Sequence, residues 1–216
     1  MKKLFLSVII ACTVLTGFAQ HDAKTKELLD KVSEKTQAYK TIKIKFDYTL
    51  ENLQNDITDT YSGMIFIKNK KYKLFLMGNQ IFFDGSSITT YNPEFNEATI
   101  NEVDTTDKSN IGPADLLTIY QKGFKYRLLP EENEDGKKLQ VVDLVPEKPK
   151  EQKYSRVILK VEKESLQIFS LKYFGKDGNR YTIKVNELSS NISISDNLFV
   201  FDQTKFPDVE VTDLRE

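Results

Sequence analysis

The chain has 216 residues with 31 basic and 32 acidic side chains, so it is close to neutral, and it carries one cysteine, one histidine and no tryptophan. Without a basic surplus it is no binder of nucleic acid. With Cys12 and His21 both near the start, the rest cannot supply a zinc cluster or a histidine base, and the nine glycines form no phosphate-cradling loop.

Residues 1–19 read as a secretory signal. Lys2 and Lys3 precede the apolar run Leu4 to Leu15, and Gly17-Phe18-Ala19 forms a small-x-small cleavage site. Cleavage leaves one domain, 20–216, expected in the periplasm, with 29 basic against 32 acidic residues. An alternative stays open at Cys12, where Ile9-Ile10-Ala11 resembles a lipobox; lipidation there would anchor the chain.

A helix is expected next, with Leu28, Leu29, Val32, Thr36 and Tyr39 at three- and four-residue steps and Asp22 as its N-cap. Strands follow in close order over 42–53, 61–68, 71–77, 80–84, 87–91 and 97–103. Their joins are Asn69-Lys70, Gly78-Asn79, Asp84-Gly85 and Asn92-Pro93. Ile42, Ile44, Phe46, Tyr48 and Leu50 alternate with polar residues, the period of a half-buried strand. A second helix is expected from Pro113 through Leu116, Leu117, Ile119 and Tyr120, stopping at Gly123. Strands resume over 124–129, 139–145, 156–162, 167–174 and 181–188. The fold class is therefore mainly β with a few helices: an antiparallel meander curved into an open barrel.

Asp47 and Glu51 could serve as a glycosidase pair, but they fall on the solvated face of a strand. Asp177-Gly178-Asn179 lacks the acid spacing of an EF-hand and reads as a turn. No cofactor or metal is expected, and the chain is not expected to be an enzyme.

The landmarks resemble those of the LolA family of periplasmic lipoprotein carriers and its relative LolB. Gly63 opens a strand ending at Lys68; Asp84-Gly85 runs into Tyr91-Asn92-Pro93; Pro113 with Leu116-Leu117 leads to Gly123-Phe124. Weaker echoes lie at Asp143 to Pro146, Asp177 to Asn179 and Phe199 to Val211. The resemblance implies an incomplete, half-open antiparallel β-barrel of about 11 strands with helices over its hollow. It also implies a function: a periplasmic chaperone that takes acylated lipoproteins from an inner-membrane exporting ABC transporter to the outer membrane, or to an acceptor there, as a monomer. Two departures stand out. The family's lid-latching arginine is missing from Lys68-Asn69-Lys70-Lys71, and its tryptophan after Asp-Gly is replaced by Ile88-Thr89-Thr90.

On that basis the apolar strand faces nominate Ile44, Phe46 and Tyr48, then Ile65, Ile67, Leu74 and Leu76, then Ile81, Phe83 and Tyr91, as the lining of an acyl-chain cavity. Leu116, Leu117 and Tyr120 would cover it. The same spacings suit an ordinary core. Met64, Phe66, Phe75 and Met77 alternate onto the opposite face, which leaves the strand orientation open there. Three other readings compete. They are a sensor of stray lipid on the same half-barrel, a LolB-like acceptor, and an envelope lipid hydrolase, the last opposed by the missing histidine.

Overall fold

A computed structural model describes residues 16–103, 120 and 123–215. Helix α1 spans Thr16–Gln37. The first six strands are β1 (Thr41–Asn52), β2 (Ile57–Lys68), β3 (Lys71–Leu76), β4 (Asn79–Phe83), β5 (Ser87–Asn92) and β6 (Glu97–Glu102). Then come β7 (Phe124–Glu134), β8 (Lys137–Pro146), β9 (Tyr154–Glu162), β10 (Ile168–Gly175), β11 (Asn179–Ser190) and β12 (Glu210–Asp213). The proline-led helix, with Leu116 and Leu117, lies outside the described residues, as does Cys12.

All twelve strands form one sheet in the order β12-β6-β5-β4-β3-β2-β1-β11-β10-β9-β8-β7. The eleven expected strands are present. β12 is an addition, and it pairs parallel to β6 (Val211 opposite Ala98), so the sheet is not purely antiparallel. The sheet does not close on itself, because β12 and β7 are both edges. Edge strand β7 is blunted by Pro130 and a register break between Leu129 and Glu132.

Alternation sorts the side chains into two faces. On the inner face Ile42, Ile44 and Phe46 of β1 stand opposite Ile67, Ile65 and Gly63 of β2. A bulge between Lys45 and Phe46 lets Ile44 face Leu188 and Phe46 face Val185 across β11. The apolar surface continues through Leu171 and Tyr173, Val157 and Leu159, and Val142 and Leu144. α1 lies over this surface with Leu28, Leu29 and Val32 buried in it, while Lys26–Asp30 and Glu27–Lys31 pair on its exposed side. The helix starts at Thr16, so Asp22 falls within it and does not cap it.

The outer face has its own small core. Phe82, Tyr91 and Ala98 pack beneath Phe201, Phe206 and Val209 of the C-terminal segment. Lys68 helps pin that segment by pairing with Asp196 at 2.8 Å and donating to the Ile194 carbonyl. The stretch aligned with the family's latch thus ties down the C-terminus, on the opposite face from α1.

The Asp84-Gly85 turn is built as a cap on its own strand end. Asp84 Oδ1 accepts from the backbone N–H groups of Ser86 and Ser87, and Gly85 adopts a φ of +105°. A β-carbon is strongly disfavoured at that angle, so Gly85→Val is expected to destabilise by about 1 kcal/mol or more, read as a lowered denaturation midpoint. An unchanged midpoint would mean that the turn relaxes to another conformation.

Candidate functional site

The candidate lining residues divide by face. Ile44, Phe46, Ile65, Ile67 and Leu74 are buried together in the inner-face core, with Tyr48, Leu76, Ile81 and Phe83 half-buried against it. Tyr120 joins the same cluster at 1% exposed. Tyr91 does not join them. It pairs with Gln80, whereas Ile81 pairs with Thr90, so alternation carries Tyr91 to the outer face. There its ring meets Phe206 with centroids 4.4 Å apart, and its hydroxyl donates to Asn96. Met64, Phe66 and Phe75 also face outward, which settles the orientation of β2 and β3.

Half of the inner face was not singled out from the sequence. Val157, Leu159 and Val161 on β9, Leu171 and Tyr173 on β10, and Ile183 and Val185 on β11 complete it. The same two-residue alternation was present there and would have identified them.

Among the described residues, α1 packs closely on the inner face. Between α1 and the sheet, a space of about 10 Å³ remains beside Thr36, Tyr39, Ile42, Ile168 and Val185, room for no more than a water molecule. Lys35 donates to the Ser165 carbonyl in the β9–β10 turn and fastens the end of the helix there. A larger hollow of about 630 Å³ opens where β2 runs past the end of the β3–β4 hairpin. Phe46, Gly63, Met64, Phe75, Leu76 and Met77 line it, with the Lys45–Glu187 ion pair (2.8 Å) at its rim. That pair holds the Glu187 carboxyl below its ordinary range through a hydrogen bond and the lysine charge. Phe46 therefore stands between the open hollow and the packed interior. Its ring fits because Gly63 has no side chain: a β-carbon there would come within 2.5 Å of the ring.

Tyrosines gather toward this end of the inner face. Tyr48 stacks on Tyr181 with centroids 6.3 Å apart, and Tyr154 meets Tyr173 edge-on at 5.7 Å. The buried Tyr173 hydroxyl has no hydrogen-bond partner among the described residues. Burial pushes the hydroxyls of Tyr48, Tyr154 and Tyr173 up in pKa, and that of Tyr120 up to about 12. Among the described residues no cluster of His, Cys, Asp and Glu could hold a metal, and no helix is long and apolar enough to cross a membrane. Asp177 accepts from the Asn179 backbone N–H and closes the β10–β11 turn, as expected for a turn.

A tyrosine whose folded pKa is raised contributes stability that is intact below its unfolded value and lost as pH rises toward the folded one. Stability is therefore expected to fall from about pH 10 upward. Tyr120→Phe should remove part of that fall in an alkaline denaturation series. An identical pH profile for the variant would place Tyr120 in water.

The family model for the outer membrane lipoprotein carrier protein LolA matches residues 77–202, more than half of the chain. No curated protein matches the chain. Among solved structures, an uncharacterized conserved protein from Thermus thermophilus is 10% identical with a TM-score of 0.58, over 88% of this chain and 99% of its own. Lipoprotein LppX from Mycobacterium tuberculosis is 10% identical with a TM-score of 0.56, over 81% and 100%. LprF from Mycobacterium bovis is 11% identical with a TM-score of 0.50, over 80% and 96%. At these identities the likeness is one of fold: an open sheet curved over an apolar face.

Proposed function

The chain belongs to the LolA family of outer membrane lipoprotein carriers, and from that premise we propose that it is a periplasmic carrier that holds the acyl chains of lipoproteins against the inner face of its sheet and conveys them between membranes. The observation that carries the reading is the cover on that face. Among the described residues, an apolar surface running from β8 to β4 is covered by α1, which inserts Leu28, Leu29 and Val32, with Tyr120 beside it. A cover of this size can be replaced by what it covers.

The magnitudes support such an exchange. Burying three aliphatic side chains is worth roughly 5–8 kcal/mol in all. Burying about ten methylenes of an acyl chain is worth on the order of 8 kcal/mol. The two occupants are close enough in free energy for loading and release both to proceed without covalent chemistry. On this reading α1 is the lid, the ~630 Å³ hollow is the way in, and Phe46 stands at the threshold. The signal-like segment from Met1 to Ala19 supports export to the periplasm. An inner-membrane exporter and an outer-membrane acceptor are the partners that the route requires.

Two variants separate a lid from plain core. Val32 is fully buried, so Val32→Ala should cost about 1–3 kcal/mol of stability yet speed uptake of a fluorescent fatty acid, because the cover is loosened. Leu76 is half-buried and lines the hollow, so Leu76→Glu should stay folded by circular dichroism and lose the probe signal, since an unpaired charge would face the acyl chain. Slower uptake by Val32→Ala, or full binding by Leu76→Glu, would count against the reading. Carriage itself is read by mixing the mature protein with membranes that hold lipoprotein and its exporter. Lipoprotein should appear in the soluble fraction, and its retention in the membrane would contradict transport.

A further inference from the structure

β2 is longer than the strand beside it. All of Ile57–Lys68 pairs with β1, but β3 pairs only with Met64 to Lys68. The direction of the spare backbone groups follows from the next turn. Lys68 and Lys71 flank the two-residue turn Asn69–Lys70, so they exchange both main-chain hydrogen bonds with each other. Counting back by twos, Phe66 and Met64 also address β3, and Ser62, Thr60 and Thr58 address the space beyond its end.

Among the described residues no hydrogen bond reaches the backbone of those three from that side. The nearby hydroxyls are engaged with β1 instead. Thr60 shares a hydrogen bond with Thr49 at 2.9 Å, and Ser62 donates to Asp47 at 2.7 Å. What the edge offers is therefore main chain. Ile57 and Tyr61 are exposed along β2, at 43% and 36%. An unpaired edge of this kind is a template for one more strand.

The edge leads directly into the ~630 Å³ hollow, whose wall includes Ser62 and Gly63 at the end of the unpaired stretch. One side recognises extended polypeptide and the other an aliphatic chain. A ligand that carries both chemistries, joined at one residue, is an acylated peptide. We propose that the free edge of β2 at Thr58, Thr60 and Ser62 takes the peptide segment next to the cargo's acylated residue as an added strand, while the acyl chain enters the hollow. This rests on the carrier reading and extends it to the protein part of the cargo. Main-chain hydrogen bonds are indifferent to side-chain sequence, which suits a carrier of many different polypeptides.

The test compares three ligands on the mature protein by titration: a fluorescent fatty acid, a short acylated peptide, and the same acylated peptide with alternate backbone amides methylated. The unmethylated peptide should bind roughly fivefold or more tighter than the methylated one, the equivalent of about one net hydrogen bond. Thr60→Pro removes an outward N–H at a position where an edge strand tolerates proline. It should weaken the acylated peptide by a similar factor and leave the fatty acid unchanged. Thr60→Val keeps the N–H and should behave like the parent. Equal affinity for the two peptides overturns the proposal, as does a folded Thr60→Pro protein that binds the acylated peptide as the parent does. A dimer that Thr60→Pro converts to monomer, with both peptides binding alike, would assign the edge to a second copy instead. If even the fatty acid fails to bind, the carrier reading itself falls, which is a separate result.

Discussion

Everything in this molecule depends on how an open sheet covers its apolar face. A closed barrel would bury that face against itself, but here β12 and β7 remain apart and the face must be covered by something else. α1 supplies the cover with a narrow stripe, Leu28, Leu29 and Val32, and keeps its ion-paired side in water. Such a helix is held mainly by burial, which has no direction and no fixed partner. On the proposed reading, an acyl chain of comparable size competes for the same surface.

The two faces divide the work. The outer face is fixed in place by specific contacts: Lys68 with Asp196, Asp143 between Arg127 and Arg156, and the aromatic group of Phe82, Tyr91, Phe201 and Phe206. On the inner face, among the described residues, Lys35 on the Ser165 carbonyl ties the end of α1 to the sheet. Of the outer-face contacts, the buried Asp143 carboxylate is costly to leave without its arginines, whereas apolar contacts have no fixed partner. On the proposed reading, the sheet stays in place while its cover moves.

Much of this was legible in the sequence because the strand period is short and local. The alternation of Ile42, Ile44, Phe46 and Tyr48 located the inner face of β1, and the Asp84-Gly85 turn fell where its Asp could cap the strand end. The misses are of a different kind. β12 is a four-residue, largely exposed strand whose partner β6 lies far back in the chain, so no local pattern marks it. Tyr91 looked like its apolar neighbours, but its face is decided by the β4–β5 register, which pairs it with Gln80. Asp22 has the chemistry of a cap, yet the helix begins before it at Thr16. The unpaired edge of β2 is invisible from residue types, because it arises from the unequal lengths of two neighbouring strands.

The central claim is that α1 and acyl chains compete for one surface, and hydrogen exchange measures that competition directly. Exchange of the amides in residues 23–37 would be compared with and without a saturating acylated ligand, with β1, β9 and β10 as internal references. Competition predicts that the helix loses protection when the ligand is bound while those strands keep theirs. Protection of α1 that stays the same or rises on binding would contradict it, since the helix would then be permanent core and the acyl chain would have to lie elsewhere.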